Sequence, residues 1–155
     1  MVDKKRIKNW LQADTEPRAV RPIPTPPRVR EPRLWLTCAY NELFFVNGGP
    51  ELLARLTTSQ SVTALVDDGV FMSDADDVLE YRDIAPGEAA KIDAYDGYYD
   101  LDYVLGATVV LDLRSCGRFA CYVVGSKGGI QEQILQWADG TWHSRVTVER
   151  LPDAR

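Results

Sequence analysis

The sequence predicts an α+β fold. An N-terminal helix and polyproline strap occupy residues 1–33, and a single domain over 34–155 combines a small helical segment with a C-terminal four-stranded antiparallel β-meander. Three observations carry this expectation. Apolar residues recur at helical spacing near the N-terminus and after Pro50. Prolines crowd the stretch before Leu34. β-branched and aromatic residues fill the last third, cut by turn residues.

The first element is an amphipathic helix over 3–13, with Ile7, Trp10 and Leu11 on one side and lysines on the other. So short a helix must dock on its own domain, on a second copy or on a partner. Residues 15–33 hold six prolines and five arginines, the composition of a stiff polyproline II spacer. Residues 34–46 are the most apolar part of the chain. Their periodicity fits either a buried helix or a hairpin turning at Asn41-Glu42, and Asn47-Gly48-Gly49 ends the element. Helices are expected over Glu51–Leu56, with Leu52, Leu53 and Leu56 on one side, over Ser61–Val66, and from Asp74 to about Tyr81, the last from a capping-box-like Ser73-Asp74-Ala75-Asp76. Residues 85–103 read as irregular. The meander strands are Ala107–Leu113, Arg118–Gly125, Ile130–Trp137 and Thr141–Glu149, with a bulge in the third because its alternation breaks. Trp137 and Trp142 flank the last turn and could pair across it.

The order of Trp-bearing helix, apolar segment, Asn47-Gly48-Gly49 and terminal sheet loosely resembles SUKH-type immunity proteins. The match covers a short stretch, lacks the Leu-Pro before the Tyr, and departs in the Tyr40-to-Asn47 spacing. No residue role is carried over from it.

The net charge of −5 hides two poles: residues 1–33 carry +5 and residues 67–103 carry −10. No run approaches the length of a membrane helix, no apolar core follows the N-terminal lysines as in a secretory signal, and the expected compartment is the cytoplasm. Cys38, Cys116 and Cys121 are too few and too odd for a disulfide framework; Cys116 and Cys121 read as half-buried thiols, or as a redox pair if a thiol pKa were lowered.

Catalytic chemistry finds little footing. His143 is the only histidine, and most acid–base and triad mechanisms use one. The stretch D-A-Y-D-G-Y-Y-D-L-D from Asp93 fails the calcium-loop pattern in its glycine position and in having Val104 at the twelfth place. Gly125-Ser126-Lys127-Gly128-Gly129 lacks phosphate-loop spacing. Asp100 with Asp102, or Asp74 with Asp76 and Asp77, leave a loose divalent-ion site as the weakest reading. No catalytic residue, metal or cofactor is assigned.

The expected partner-binding segment is Asp93, Tyr95, Asp96, Tyr98, Tyr99, Asp100, Asp102 and Tyr103. Tyrosines bring large contact area at low entropic cost, and aspartates pair with arginine or lysine across an interface. Secondary contacts are expected from Asp74, Asp76, Asp77, Trp10, Arg28 and Arg30. The function expected is that of an acidic inhibitor, immunity protein or antitoxin that neutralises a basic, nucleic-acid-handling protein. The alternative is an assembly module that meets a second copy through residues 1–33. The arm's net +3 over 15–33 speaks against nucleic acid as the partner.

Overall fold

The computed structural model describes residues 4–11, 30–66, 69–74, 78–95 and 103–152. These form eleven strands: β1 (Arg6–Ile7), β2 (Pro32–Ala39), β3 (Glu42–Asn47), β4 (Leu53–Val66), β5 (Gly69–Asp74), β6 (Leu79–Ile84), β7 (Ala89–Ala94), β8 (Tyr103–Leu113), β9 (Gly117–Lys127), β10 (Glu132–Trp137) and β11 (Thr147–Leu151). One sheet runs β1-β7-β3-β2-β10. The other runs β11-β9-β8-β4, with β5 and β6 taking successive stretches of the far edge of β4. All these pairings are antiparallel.

The fold is therefore all-β, and the α+β expectation is corrected. Residues 34–46 take the hairpin alternative, turning at Tyr40-Asn41, where both φ angles are positive (53° and 61°). That is the backbone of a tight type I′ turn. The helices expected over 51–56 and 61–66 are replaced by the long strand β4. Their apparent periodicity comes from a bulge: between Leu53 and Arg55 the register against β8 shifts, so Leu53 and Leu56, three apart, both enter the core. The helix expected from Asp74 to Tyr81 gives way to the end of β5 and most of β6. Of the helix expected over 3–13, the described residues 4–9 are not helical. Arg6–Ile7 pair with β7, Lys8 and Asn9 turn, and among the described residues helical backbone is confined to Trp10 and Leu11.

The meander is corrected too. β8, β9 and β11 share a sheet, but β10 crosses to the other and pairs with β2. The bulge expected in that strand falls between Ile134 and Gln136. Gly125 marks a second register shift, in the β8–β9 pair; a Cβ there would lie 1.3 Å from the Leu105 carbonyl oxygen, so only glycine fits.

The main core lies between the sheets. Leu34, Leu36, Leu43, Phe45, Ile92 and Leu135 from the first meet Leu53, Leu56, Val109, Leu111, Cys121 and Val123 from the second. A separate cluster sits on the outer face of the first sheet, where Phe44, Val46 and Ala89 pack against Ile7, Trp35 and Ala39 of the same sheet and against Trp10 and Leu11. Glu51, in the crossover from β3 to β4, staples the two sheets. It accepts from Arg33 at 3.0 Å and from the Ser115 backbone N–H at 2.7 Å and hydroxyl at 2.6 Å. Burial pushes its pKa up, but these donors outweigh burial and hold it below the usual value. Among the described residues no helix is long and apolar enough to cross a membrane.

Candidate functional site

Of the expected partner-binding segment, the structure describes the two ends. Asp93, on β7, is 6% exposed, and its Oδ1 accepts the Ala94 N–H at 2.7 Å. Tyr95 is 8% exposed and belongs to the main core. Its N–H donates to the Asn41 carbonyl at 2.7 Å, and its hydroxyl accepts the Ile130 N–H at 3.1 Å. Its ring lies so close to Gly129 that a Cβ there would fall 2.5 Å away, and Gly129 has φ +109°. These two residues thus anchor the segment to the body. Tyr103 opens β8, opposite Ala64. Asp96, Tyr98, Tyr99, Asp100 and Asp102 lie outside the described residues, as do Asp76, Asp77 and Arg28; Asp74 closes β5 opposite Ser61.

Topology sets the start of β8 beside the end of the β4–β5 pairing. Tyr103 opposes Ala64, and the β4–β5 hairpin closes just beyond, at Val66 opposite Gly69. The 128–130 turn links the two anchors: Tyr95 holds Ile130, while Lys127 opposes Val104.

Sequence reasoning missed Tyr40. It is 99% exposed with φ 53°, beside the Asn41 carbonyl that receives the Tyr95 N–H. A tyrosine in the left-handed region is uncommon and strained. The available signal was its place, with asparagine, at the centre of a run that reads as a hairpin.

The secondary residues serve elsewhere. Trp10 lies over Phe44, ring centroids 5.0 Å apart. Arg30 pairs with Asp139 at 3.0 Å, donates to the Thr141 hydroxyl, and stacks 4.7 Å from the Trp137 ring centroid. Trp142 packs on Phe119 rather than on Trp137, which faces His143. The groove lined by Lys4, Lys5, Arg6, Glu80, Tyr81 and Arg82, about 610 Å³, runs beside the N-terminal strand.

His143 has a structural place: its Nδ1 accepts the Arg145 N–H at 3.1 Å, and its ring is half-buried. Cys121 is buried, and burial pushes its thiol up to about 12. Cys116 is exposed in the β8–β9 turn, 3.2 Å from the Ser115 hydroxyl, and both thiols are free. Among the described residues no three histidine, cysteine or carboxylate side chains gather as a metal would need. Comparison with protein-family models, curated proteins and solved structures returns no match.

Proposed function

We propose that this chain is a non-catalytic protein binder that engages a basic partner through the acidic, tyrosine-bearing loops at one end of its two-sheet body. The observation that supports this reading is where the strands of the acidic region end. Residues 67–103 carry −10, and Tyr103, which opens β8 opposite Ala64, lies next to the close of the β4–β5 pairing at Val66 opposite Gly69. Loops held at both ends by strands present contact residues at lower ordering cost than free loops do. Tyr95 and β8 supply those anchors, and exposed Tyr40 stands next to one of them. Acidic complementarity speeds encounter with a basic surface and is screened by salt. Neutralisation of a nucleic-acid-handling protein fits, because such a partner offers a basic groove.

The test uses an arginine-rich peptide as the probe and surface plasmon resonance at low salt. Asp96→Asn/Asp100→Asn/Asp102→Asn is expected to slow association about tenfold, and Tyr40→Ala to speed dissociation with little change in association. Amide shifts on titration should centre on residues 40–41, 67–68 and 93–103. An unchanged association rate, or shifts centred on another surface, would overturn the proposal.

A further inference from the structure

Residues 4–11 lie across a seat that draws on both sheets. On the first sheet, Arg6 stands opposite Ala90 and Ile7 opposite Ala89 along the edge of β7, and the Lys5 carbonyl accepts the Lys91 N–H at 2.8 Å. From the second, the Tyr81 hydroxyl of β6 accepts the Lys5 N–H at 3.1 Å and donates to the Lys91 carbonyl at 2.6 Å. The Arg6 guanidinium meets three acceptors of the body. Its Nε donates to Glu88 at 2.6 Å, and its terminal nitrogens donate to the Arg82 and Asp83 carbonyls at 2.9 and 2.8 Å. Successive carbonyls of a regular strand point opposite ways. At Asp83 the backbone leaves that conformation, with φ 53°, and both carbonyls turn to one guanidinium. The Glu88 side chain is 5% exposed, so the body carries a buried carboxylate that the arm's cation balances. Trp10 covers Phe44. Backbone pairing along a sheet edge, with side-chain anchors for specificity, is a recurring mode of binding an extended segment.

The arm fills this seat incompletely. Glu42, at the start of β3, has its Oε2 buried, and among the described residues that oxygen accepts no hydrogen bond. Lys5 Nζ stands 3.6 Å from it and Lys91 Nζ 3.5 Å, near enough to balance the charge and not placed to close a bond. Lys91 belongs to the body. The Lys5 position belongs to whatever segment occupies the seat. Arginine there would be longer than lysine and would offer a fork of donors suited to a carboxylate. The seat therefore matches two successive arginines better than the Lys5-Arg6 that the chain itself supplies. A segment that closes this gap competes with the arm on favourable terms.

We propose that this seat is a recognition site for an extended basic segment of a protein partner, with arginine at the two places taken by Lys5 and Arg6 and an aromatic side chain at that of Trp10, and that residues 4–11 are a built-in competitor which such a segment displaces. Charge complementarity names the occupant. Glu42 and Glu88 face the two basic positions, and Phe44 faces the aromatic one. Removing the arm uncovers Glu88 and Phe44 together, so the seat stays shut to ligands that cannot replace both contacts. The site shares no residue with the acidic loops, and either reading can fail alone.

Two labelled peptides test it, one with the sequence of residues 4–11 and one carrying Lys5→Arg, each titrated into the full chain by fluorescence anisotropy. The Lys5→Arg peptide is expected to bind about tenfold more tightly, the worth of one added hydrogen bond between charged groups. Amide shifts should centre on Phe44 and on residues 81–83 and 88–91. In a full chain carrying Arg6→Glu/Trp10→Ala the competitor is weakened, and both peptides should bind about tenfold more tightly than to the parent. Should that chain fail to fold, Lys5→Arg in the full chain decides. It strengthens the competitor, and both peptides should then bind about tenfold more weakly. Equal affinity for the two peptides, affinity unchanged by Lys5→Arg in the chain, or no binding to any of these chains would overturn the proposal. So would shifts centred on residues 40–41, 67–68 and 93–103, which would assign the peptide to the acidic loops and leave that reading standing without this one.

Discussion

The outer faces of the two sheets are built on opposite plans. On the first sheet the outer face is apolar and covered, with Phe44, Val46 and Ala89 packed against Ile7, Trp10 and Leu11. On the second it is laced with ion pairs: Arg55–Glu80 at 2.9 Å, Arg82–Glu80 at 3.1 Å and Arg118–Asp112 at 3.6 Å. Tyr122 and Val124 of β9 are exposed, at 40% and 82%. An antiparallel sheet can leave one face to water when that face is polar. The first sheet cannot, because β3 carries Leu43, Phe44, Phe45 and Val46 in a row and all four are buried. An apolar outer face requires a cover, and the N-terminal arm supplies it.

The largest test of this contrast sets the two faces of β3 against each other. Phe45→Ala opens a hole between the sheets and is expected to cost about 3–5 kcal/mol. Phe44→Ala should cost about 2 kcal/mol, since the arm can settle into part of the space. Urea midpoints at constant slope measure both. The two outer-face changes should also couple. In a chain lacking residues 1–11, Phe44→Ala should cost under about 1 kcal/mol, because the ring is then already exposed. A full cost in the truncated chain would show that Phe44 belongs to the main core, and the contrast between faces would fail.

A smaller effect isolates the clamp that holds the cover. Tyr81→Phe keeps the ring in the core and removes the hydroxyl between Lys5 and Lys91. The loss is expected at about 1–2 kcal/mol, the cost of two backbone groups left without a partner at a partly buried site. Hydrogen exchange should quicken at residues 5–7 and 89–91 and remain unchanged in β8 and β9. Uniform quickening would mean that the arm and body open as one unit.

The same contrast explains what was legible in the sequence. Turn residues and β-branched content located β8 and β9 closely, and the hairpin alternative for 34–46 was in view. Periodicity could not choose that alternative because β3 is buried on both faces, which erases the alternation. Leu53 and Leu56 mimicked a helix because a bulge re-phases β4. β6 is re-phased too: Leu79, Tyr81 and Ile84 are all buried, around Asp83 at φ 53°. The pairing of β10 with β2 links residues nearly a hundred positions apart, which local pattern does not encode. At the candidate site, the charge pole was plain from composition. That Asp93 and Tyr95 would turn inward was not, because a buried anchor and an exposed contact use the same residue types. Tyr40 was hidden because one aromatic in an apolar run looks like core.

The smallest expected effect belongs to the open face and has a definite sign. Hydrogen bonds from Arg55 and then Arg82 hold the Glu80 carboxyl below its usual value, against a minor opposing contribution from desolvation. A carboxylate whose folded pKa is depressed stabilises the fold above its unfolded pKa, near 4.3, and loses that stabilisation as pH falls through the folded value. Glu80→Gln should therefore lower the urea midpoint slightly at neutral pH and low salt. The gap to the parent should close as the solution is acidified, and also as salt is added, because the pairs are exposed to screening. A gap that survives both acid and salt would mean that Glu80 acts by packing. The second sheet's outer face would then be a covered surface like the first, and a further element would have to be sought over it.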